Sequence, residues 1–273
     1  MSANSQTILM CAPDHFGVAY VINPWMEGHF ADVDRVLAHK QWEFLRDAIT
    51  EQCKVALQPP QAGLPDLVFT ANAGLVLGNK AIVSRFRNVE RQGEEPHDRQ
   101  WFAANGFEIL DWPQAVAFEG AGDALFDRGQ KLLWVGQGFR SDVKAPPLLE
   151  KMLGRKTVVL NLVDPRFYHL DTCLCPLAGG YVMYFPGAFD AASRALIEKT
   201  VPEDKRVVVA EEDALKFCCN AVDLNGHIFM NGASENLQNA LHQAGFTPVI
   251  TPLSEFMKAG GAAKCLTLKL VEV

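Results

Sequence analysis

The stretch FEGAGDALFDRGQKLLWVGQGF, Phe118 to Phe139, runs from a small or polar cluster into an apolar strand, a tight turn and a second apolar strand. The same order recurs in FTANAGLVLGNKAIVSRF from Phe69, YHLDTCLCPLAGGYVMYFPGAF from Tyr168 and FCCNAVDLNGHIFMNGAS from Phe217. Asn72, Asp123, Asp171 and Asn220 occupy similar points in the four, at steps of 51, 48 and 49 residues. Self-similarity at a fixed period marks one supersecondary unit repeated along the chain. The turns Gly78-Asn79, Gly129-Gln130, Gly179-Gly180 and Asn225-Gly226 supply residues that tolerate positive φ, so each unit reads as a hairpin. Helix-like stretches and a further strand follow, most plainly ASRALIEKTV before RVVVAE and ENLQNALHQAGF before TPVIT, which makes the unit ββαβ.

A fifth unit is expected from the two ends of the chain. KCLTLKLVEV at the C terminus is a strand without a partner, while TILMCAP and GVAYVIN open the sequence. An amphipathic helix from Asp32 to Glu51, with Val33, Val36, Leu37, Phe44, Leu45, Ala48 and Ile49 on or near one face, completes that unit before VALQ. Five units about an axis give a single closed α/β domain over residues 1–273, with the strand starts converging at its centre. An ordinary α/β sandwich is the alternative. The polar stretch Asn88 to Arg99 reads as a surface loop able to cover a site.

Composition narrows the class. A chain of 273 residues with 49% hydrophobic content can bury a real core. No opening segment resembles a signal peptide and no apolar run reaches the length of a membrane span, so a cytoplasmic protein is expected. Seven cysteines without paired metal spacing fit reduced thiols. The net charge is −7 with scattered basic residues, which gives nucleic acid no footprint and suits a small cationic ligand.

If the strand starts meet, Asp66, Asn72, Glu119, Asp123, His169, Asp171 and Cys265 become neighbours. Cys265 follows the small residues Gly260 to Ala263, which let backbone and substrate approach closely, and Lys264 adds local positive charge. An isolated terminal cysteine is more often a small core residue, and the other six are assigned to structure. His169 has an acid two residues away that can orient an imidazole. Glu119 lies between an apolar strand and two glycines, where a carboxylate needs a partner such as a bound cation; a capping role is the alternative, for Asp123 especially. Arg91 and Arg140 can clamp a carboxylate bidentately or lie in solvent. No ligand spacing argues for a metal.

Together FTANAG, FEGAGD, YHLD and GGAAKC resemble the site motifs of the guanidine-modifying superfamily, the pentein fold of arginine deiminase, dimethylarginine dimethylaminohydrolase and the amidinotransferases. MCAPDHFGVAYVINPWM and PDLVFTANAG resemble more specifically the catalytic module of the bacterial arginine dihydrolases. The resemblance spans the chain and implies a five-bladed β/α propeller. It implies Cys265 as nucleophile, His169 as general acid and base, and Glu119 and Asp66 as holders of the guanidinium. Asn23 and Asn72 would contact that group, Arg91 and Arg140 would bind the α-carboxylate, and Asp171 belongs to the same binding set. Neither a metal nor an organic cofactor is implied. Asn72 departs from the aspartate of deiminases and dimethylaminohydrolases. An amide can donate as well as accept, so it is expected to hold a ureido intermediate for a second attack that yields ornithine, ammonia and carbon dioxide. The alternatives are a citrulline-forming dimethylaminohydrolase or deiminase, an amidinotransferase, or a non-enzymatic binding protein on the same propeller. The dihydrolases carry a long further C-terminal region, whereas eight residues follow Cys265 here, which implies a free-standing module. Oligomeric partners are left open.

Overall fold

A computed structural model describes residues 6–272 of the chain. The first segment holds β1 (Thr7–Cys11), α1 (Arg35–Thr50) and β2 (Lys54–Gln58). Four repeats follow. They comprise β3 (Gly74–Leu77), β4 (Lys80–Val83), α2 (Glu95–Ala104) and β5 (Glu108–Ile109); then β6 (Ala124–Phe126), β7 (Leu132–Gln137), α3 (Ala145–Leu153) and β8 (Lys156–Asn161). The next has β9 (Leu174–Leu177), β10 (Tyr181–Tyr184), α4 (Ala191–Thr200) and β11 (Arg206–Val208), with a short α5 (Glu211–Ala214) behind it. The last has β12 (Val222–Leu224), β13 (His227–Met230), α6 (Glu235–Gln243) and β14 (Thr247–Ile250); α7 (Ser254–Met257) and β15 (Leu268–Lys269) end the chain.

These strands form five sheets of three, an α/β arrangement. In each repeat a hairpin pairs antiparallel and the strand after the helix returns parallel to the second hairpin strand, as where Leu132 faces Lys156. The terminal sheet has the same plan built from both ends: β15 runs antiparallel to β1, with Leu268 opposite Leu9, and β2 runs parallel to it. The expected ββαβ unit and the shared terminal unit are therefore present. Val273, the last residue of the expected terminal strand, lies outside the described residues. GVAYVIN forms no strand. The C-terminal strand already fills that edge of the sheet, so no third opening strand is needed.

Local chemistry explains the elements. Asp34, Asp190 and Ser234 cap α1, α4 and α6 by accepting a backbone N–H through the side chain. Asn225 (φ 55°) and Gly226 (φ 83°) give the β12–β13 turn the paired positive φ of a two-residue hairpin. On α1 the buried stripe is Ala38, Trp42, Leu45 and Ile49. Val36 and Phe44, expected on that face, are 67% and 54% exposed. The helix is rotated because Gln41 is drawn inward, donating to Ser254 Oγ at 2.8 Å and accepting from the Glu255 N–H at 3.0 Å. Each large side chain in that stripe contributes roughly 1.5–3 kcal/mol by burial.

The repeat register needs one correction. Counted from the first residue of each following strand, Asn72 and Asn220 stand two places before, Asp123 one and Asp171 three. The four are thus not equivalent. Glu119 and His169 are, each five places before its strand, and so are Asp171 and Cys265, each three before. A shift of one residue turns a side chain to another direction, and this decides which groups meet.

Candidate active site

The turn Gly260-Gly261 brings the segment of Cys265 against the wall of a small cavity. Gly260 has φ +81°, and a Cβ there would stand 2.9 Å from Asn23 Oδ1 and from Tyr168 Oη. The close approach expected of these glycines is real. Cys265 is buried and lines the cavity together with Asn23, Asp66, Asn72, Arg91, Arg140 and Tyr168. Asn220 holds it from behind. Its Oδ1 accepts the N–H groups of Ala262 and Cys265, both at 3.0 Å, and its Nδ2 reaches the sulfur at 3.1 Å. The sulfur also lies 3.6 Å from Asp171 Oδ2. Burial and that neighbouring carboxylate push the thiol up, outweighing the Asn220 hydrogen bond and the Lys264 charge. Asp171 is itself pushed up to about 6 by burial, with Lys264 and His169 opposing.

Beside the cavity, Glu119 Oε2 meets His169 Nε2 at 2.7 Å and Arg140 Nη1 at 3.0 Å. All three side chains are almost wholly buried. Burial alone would raise the Glu119 carboxyl, but the Arg140 guanidinium and the His169 hydrogen bond outweigh it and hold it well below the usual carboxylate range. An ionised Glu119 can only accept, so His169 donates to it from Nε2. Nδ1 is buried and has no protein partner. A depressed carboxyl contributes stability above its unfolded pKa that is lost as the pH falls through the folded value. Glu119→Gln is accordingly expected to flatten the fall in melting temperature between about pH 5 and pH 3 relative to wild type. Melting curves over that range check it, and an unchanged acid slope refutes it.

The opposite wall is ionic. Arg91 binds Glu94 through Nε and Nη2, both at 2.8 Å, and donates from Nη1 to Asn72 Oδ1 at 2.9 Å. Asn72 Nδ2 donates to the Glu119 backbone carbonyl at 3.0 Å, so both ends of its amide are engaged. Asp66 accepts from Tyr20 Oη at 3.0 Å on Oδ2, while its buried Oδ1 has no partner. Asn23 Nδ2 donates to the Ala259 carbonyl at 3.1 Å. The stretch from Asn88 to Arg99 is not a loop: from Val89 onward it is helical, and Arg91, Glu94 and Asp98 in it are buried. Its polarity reads as solvated, but Arg91 and Glu94 pair with each other, and Asp98 accepts from Gln58 Nε2 at 2.8 Å.

All the candidate residues are buried. Asn23, Asp66, Asn72, Arg91, Arg140 and Cys265 share the cavity, Glu119 and His169 stand beside it, and Asp171 lies against the sulfur rather than on the cavity wall. Asp123 caps instead, taking Ser141 Oγ at 2.6 Å and the Leu170 N–H at 3.1 Å. Three contributors escaped sequence reasoning as site residues. Asn220 was signalled by the match of FCCNAV to FTANAG. Tyr168, whose ring carries the Arg140 guanidinium at 4.6 Å, and Glu94 had no local signal. Among the described residues no group of His, Cys, Asp and Glu could hold a metal.

A family model described as N,N dimethylarginine dimethylhydrolase, eukaryotic, matches residues 34–272. The chain belongs to this family. Within and around the dimethylarginine dimethylhydrolases, the dimethylarginine dimethylaminohydrolase of Mycobacterium tuberculosis is 39% identical over 96% of this chain and 84% of its own. The bifunctional arginine dihydrolase/ornithine cyclodeaminase ArgZ of Synechocystis sp. is 54% identical over 99% of this chain, which spans only 38% of that relative's length. The N-terminal domain of ArgZ has been solved as a cysteine-to-serine mutant bound to substrate and as an asparagine-to-serine variant covalently bound to a reaction intermediate. Each has a TM-score of 0.97, 53% identity and 98% coverage of this chain, with 99% and 98% of those chains covered.

Proposed function

We propose that this chain is an arginine dihydrolase that uses Cys265 to convert arginine and two waters to ornithine, two ammonia molecules and carbon dioxide. The observation that carries this reading is one cavity lined by the Cys265 sulfur, two arginines, Asp66 and an amide, Asn72, where a second carboxylate would serve a simple deiminase. The likeness to the ArgZ domain supports it. The reading extends to a closed five-bladed propeller forming one domain, supported by the five like sheets and by the pairing of β15 with β1. It also extends to a cytoplasmic setting, supported by seven free cysteines. No helix among the described residues is long and apolar enough to cross a membrane.

In this mechanism the flat guanidinium is received by the unpartnered Asp66 oxygen and by Asn23, and its positive charge lowers the thiol's pKa. The thiol proton passes to His169 Nδ1 and the sulfur attacks the central carbon. His169 returns the proton to the leaving ammonia, then takes one from the water that cleaves the carbon–sulfur bond, work typically worth about 10²–10⁴ in rate. The product is a ureido group. Its oxygen is held by the second Nδ2 hydrogen of Asn72, the one not given to the Glu119 carbonyl, rather than repelled by a carboxylate, so Cys265 attacks again, a second ammonia leaves, and hydrolysis of the S-carbamoyl enzyme gives a carbamate that loses carbon dioxide.

Arginine, the methylated arginines and agmatine incubated with the purified chain test this, with products read by mass spectrometry. Ornithine with two equivalents of ammonia is expected from arginine. Citrulline without ornithine refutes the dihydrolase reading, and turnover of methylated arginines alone favours the dimethylaminohydrolase activity of the family. Glu94 orients Arg91, the proposed carboxylate clamp, by a bidentate pair. Glu94→Gln is expected to raise KM for arginine about tenfold with a smaller fall in kcat, as removal of binding common to ground and transition states requires. Steady-state kinetics decide, and an unchanged KM removes Arg91 from that role.

A further inference from the structure

A second cavity shares no lining residue with the first. Its wall draws on all five sheets, through Val76, Phe126, Leu174, Val222 and Leu268. Into this apolar frame come five charged residues: Lys264, Lys269, Arg128, Glu272 and Asp223. The two carboxylates are already engaged. Glu272 takes both terminal nitrogens of Arg128. Asp223 accepts the Gly226 N–H at 3.0 Å and the Ala178 N–H at 2.6 Å.

Among the described residues the ammonium groups have no such partners. Lys269 donates only to the Asp223 backbone carbonyl at 2.8 Å, and Lys264 only to the Thr267 carbonyl at 3.4 Å. Among the described residues neither forms an ion pair, and Arg128 Nε is buried with nothing to donate to. Burial lowers both lysines, Lys269 to about 8 with the Arg128 charge adding to the effect. Clustered cations short of acceptors in an apolar frame are stabilised by an anion that accepts several charge-assisted hydrogen bonds.

We propose that this cavity binds a small inorganic oxyanion, with Lys264 and Lys269 as its charged donors and Arg128 Nε as a third. Lys264 precedes the nucleophile, and its charge favours both the Cys265 thiolate and the Asp171 carboxylate. An anion at Lys264 offsets that field, so occupancy slows the nucleophile from a site that substrate does not enter. The inference rests on this cavity's own charges and holds whatever the substrate is.

Selenate tests it directly, because selenium can be located by anomalous scattering. Wild-type crystals soaked in sodium selenate are expected to show selenium beside Lys264 and Lys269. A peak confined to Arg91 and Arg140, no peak, or a peak only on surface residues as an adventitious ion overturns the proposal. By calorimetry at constant ionic strength, Lys269→Met is expected to weaken selenate binding at least about tenfold, the worth of one charge-assisted hydrogen bond, while Lys269→Arg retains it. Equal affinity in Lys269→Met overturns the assignment, and the wild-type crystals keep the test intact if that variant does not fold. Saturating selenate is also expected to slow iodoacetamide labelling of Cys265 severalfold, read by peptide mass spectrometry; an unaltered rate rejects the link to the nucleophile.

Discussion

Cys265→Ala is expected to lower ammonia release from arginine by at least about 10⁴-fold, the order of loss when an enzyme's covalent nucleophile is removed. No second thiol lines the cavity, and its other polar groups are amides, a carboxylate, a phenol and guanidiniums that cannot replace a sulfur as nucleophile. The fold should survive. The backbone N–H of residue 265 keeps its 3.0 Å bond to Asn220 Oδ1, and only the sulfur's contacts with Asn220 and Asp171 are lost. Removing one buried thiol costs on the order of 1 kcal/mol, so the melting temperature is expected to move by about 2–4 °C. Because Asp66, Arg91 and Arg140 are untouched, arginine should still raise that temperature in the variant. Residual turnover above about 1% of wild type excludes covalent catalysis by this residue.

Asn72→Asp has the second-largest expected effect, and it concerns which product forms. The new carboxylate keeps the acceptor that Arg91 Nη1 meets at 2.9 Å, so that side of the site is conserved. The Nδ2 side is not. A carboxylate oxygen would face the Glu119 carbonyl now 3.0 Å from the amide nitrogen, and would repel the ureido oxygen of the half-hydrolysed substrate. The first hydrolysis gains a second acid to grip the guanidinium, while the second loses its donor. The ratio of ornithine to citrulline is expected to fall at least about tenfold, as loss of a buried hydrogen bond to the intermediate implies. Chromatography of the products over time measures it. An unaltered ratio in a variant that melts like wild type removes Asn72 from the second step.

Much of the architecture was legible because the repeat is written in side-chain chemistry. Asn225-Gly226 marks a hairpin by backbone preference alone, and the apolar runs on either side mark the paired strands. The terminal unit was legible for a different reason: KCLTLKL is too apolar to lie in solvent and has no neighbouring strand in sequence, so it must find one at the other end. Positions that depend on partners were not legible in this way. Val36 and Phe44 have the right spacing for a buried face, yet Gln41 turns the helix away from them by bonding Ser254 and Glu255, far along the chain. Arg91, Glu94 and Asp98 look like a solvated run until the wall that receives them is present.

The site divides along the same line. The order of residues by itself determined that Cys265 after its glycines, His169, Glu119 and Asn72 all belong to the strand starts, while the place they share within the repeats emerged only from the observed strands. Only the tertiary structure decided that Glu119 is already paired with His169 and Arg140, that Asp171 faces the sulfur rather than the cavity, and that Asn220 holds Cys265 in place. Residue type and period follow from local backbone geometry, which is written in neighbouring letters. Ionisation and hydrogen-bond partnership follow from what burial brings together across two hundred residues, and burial exists only once the chain has folded.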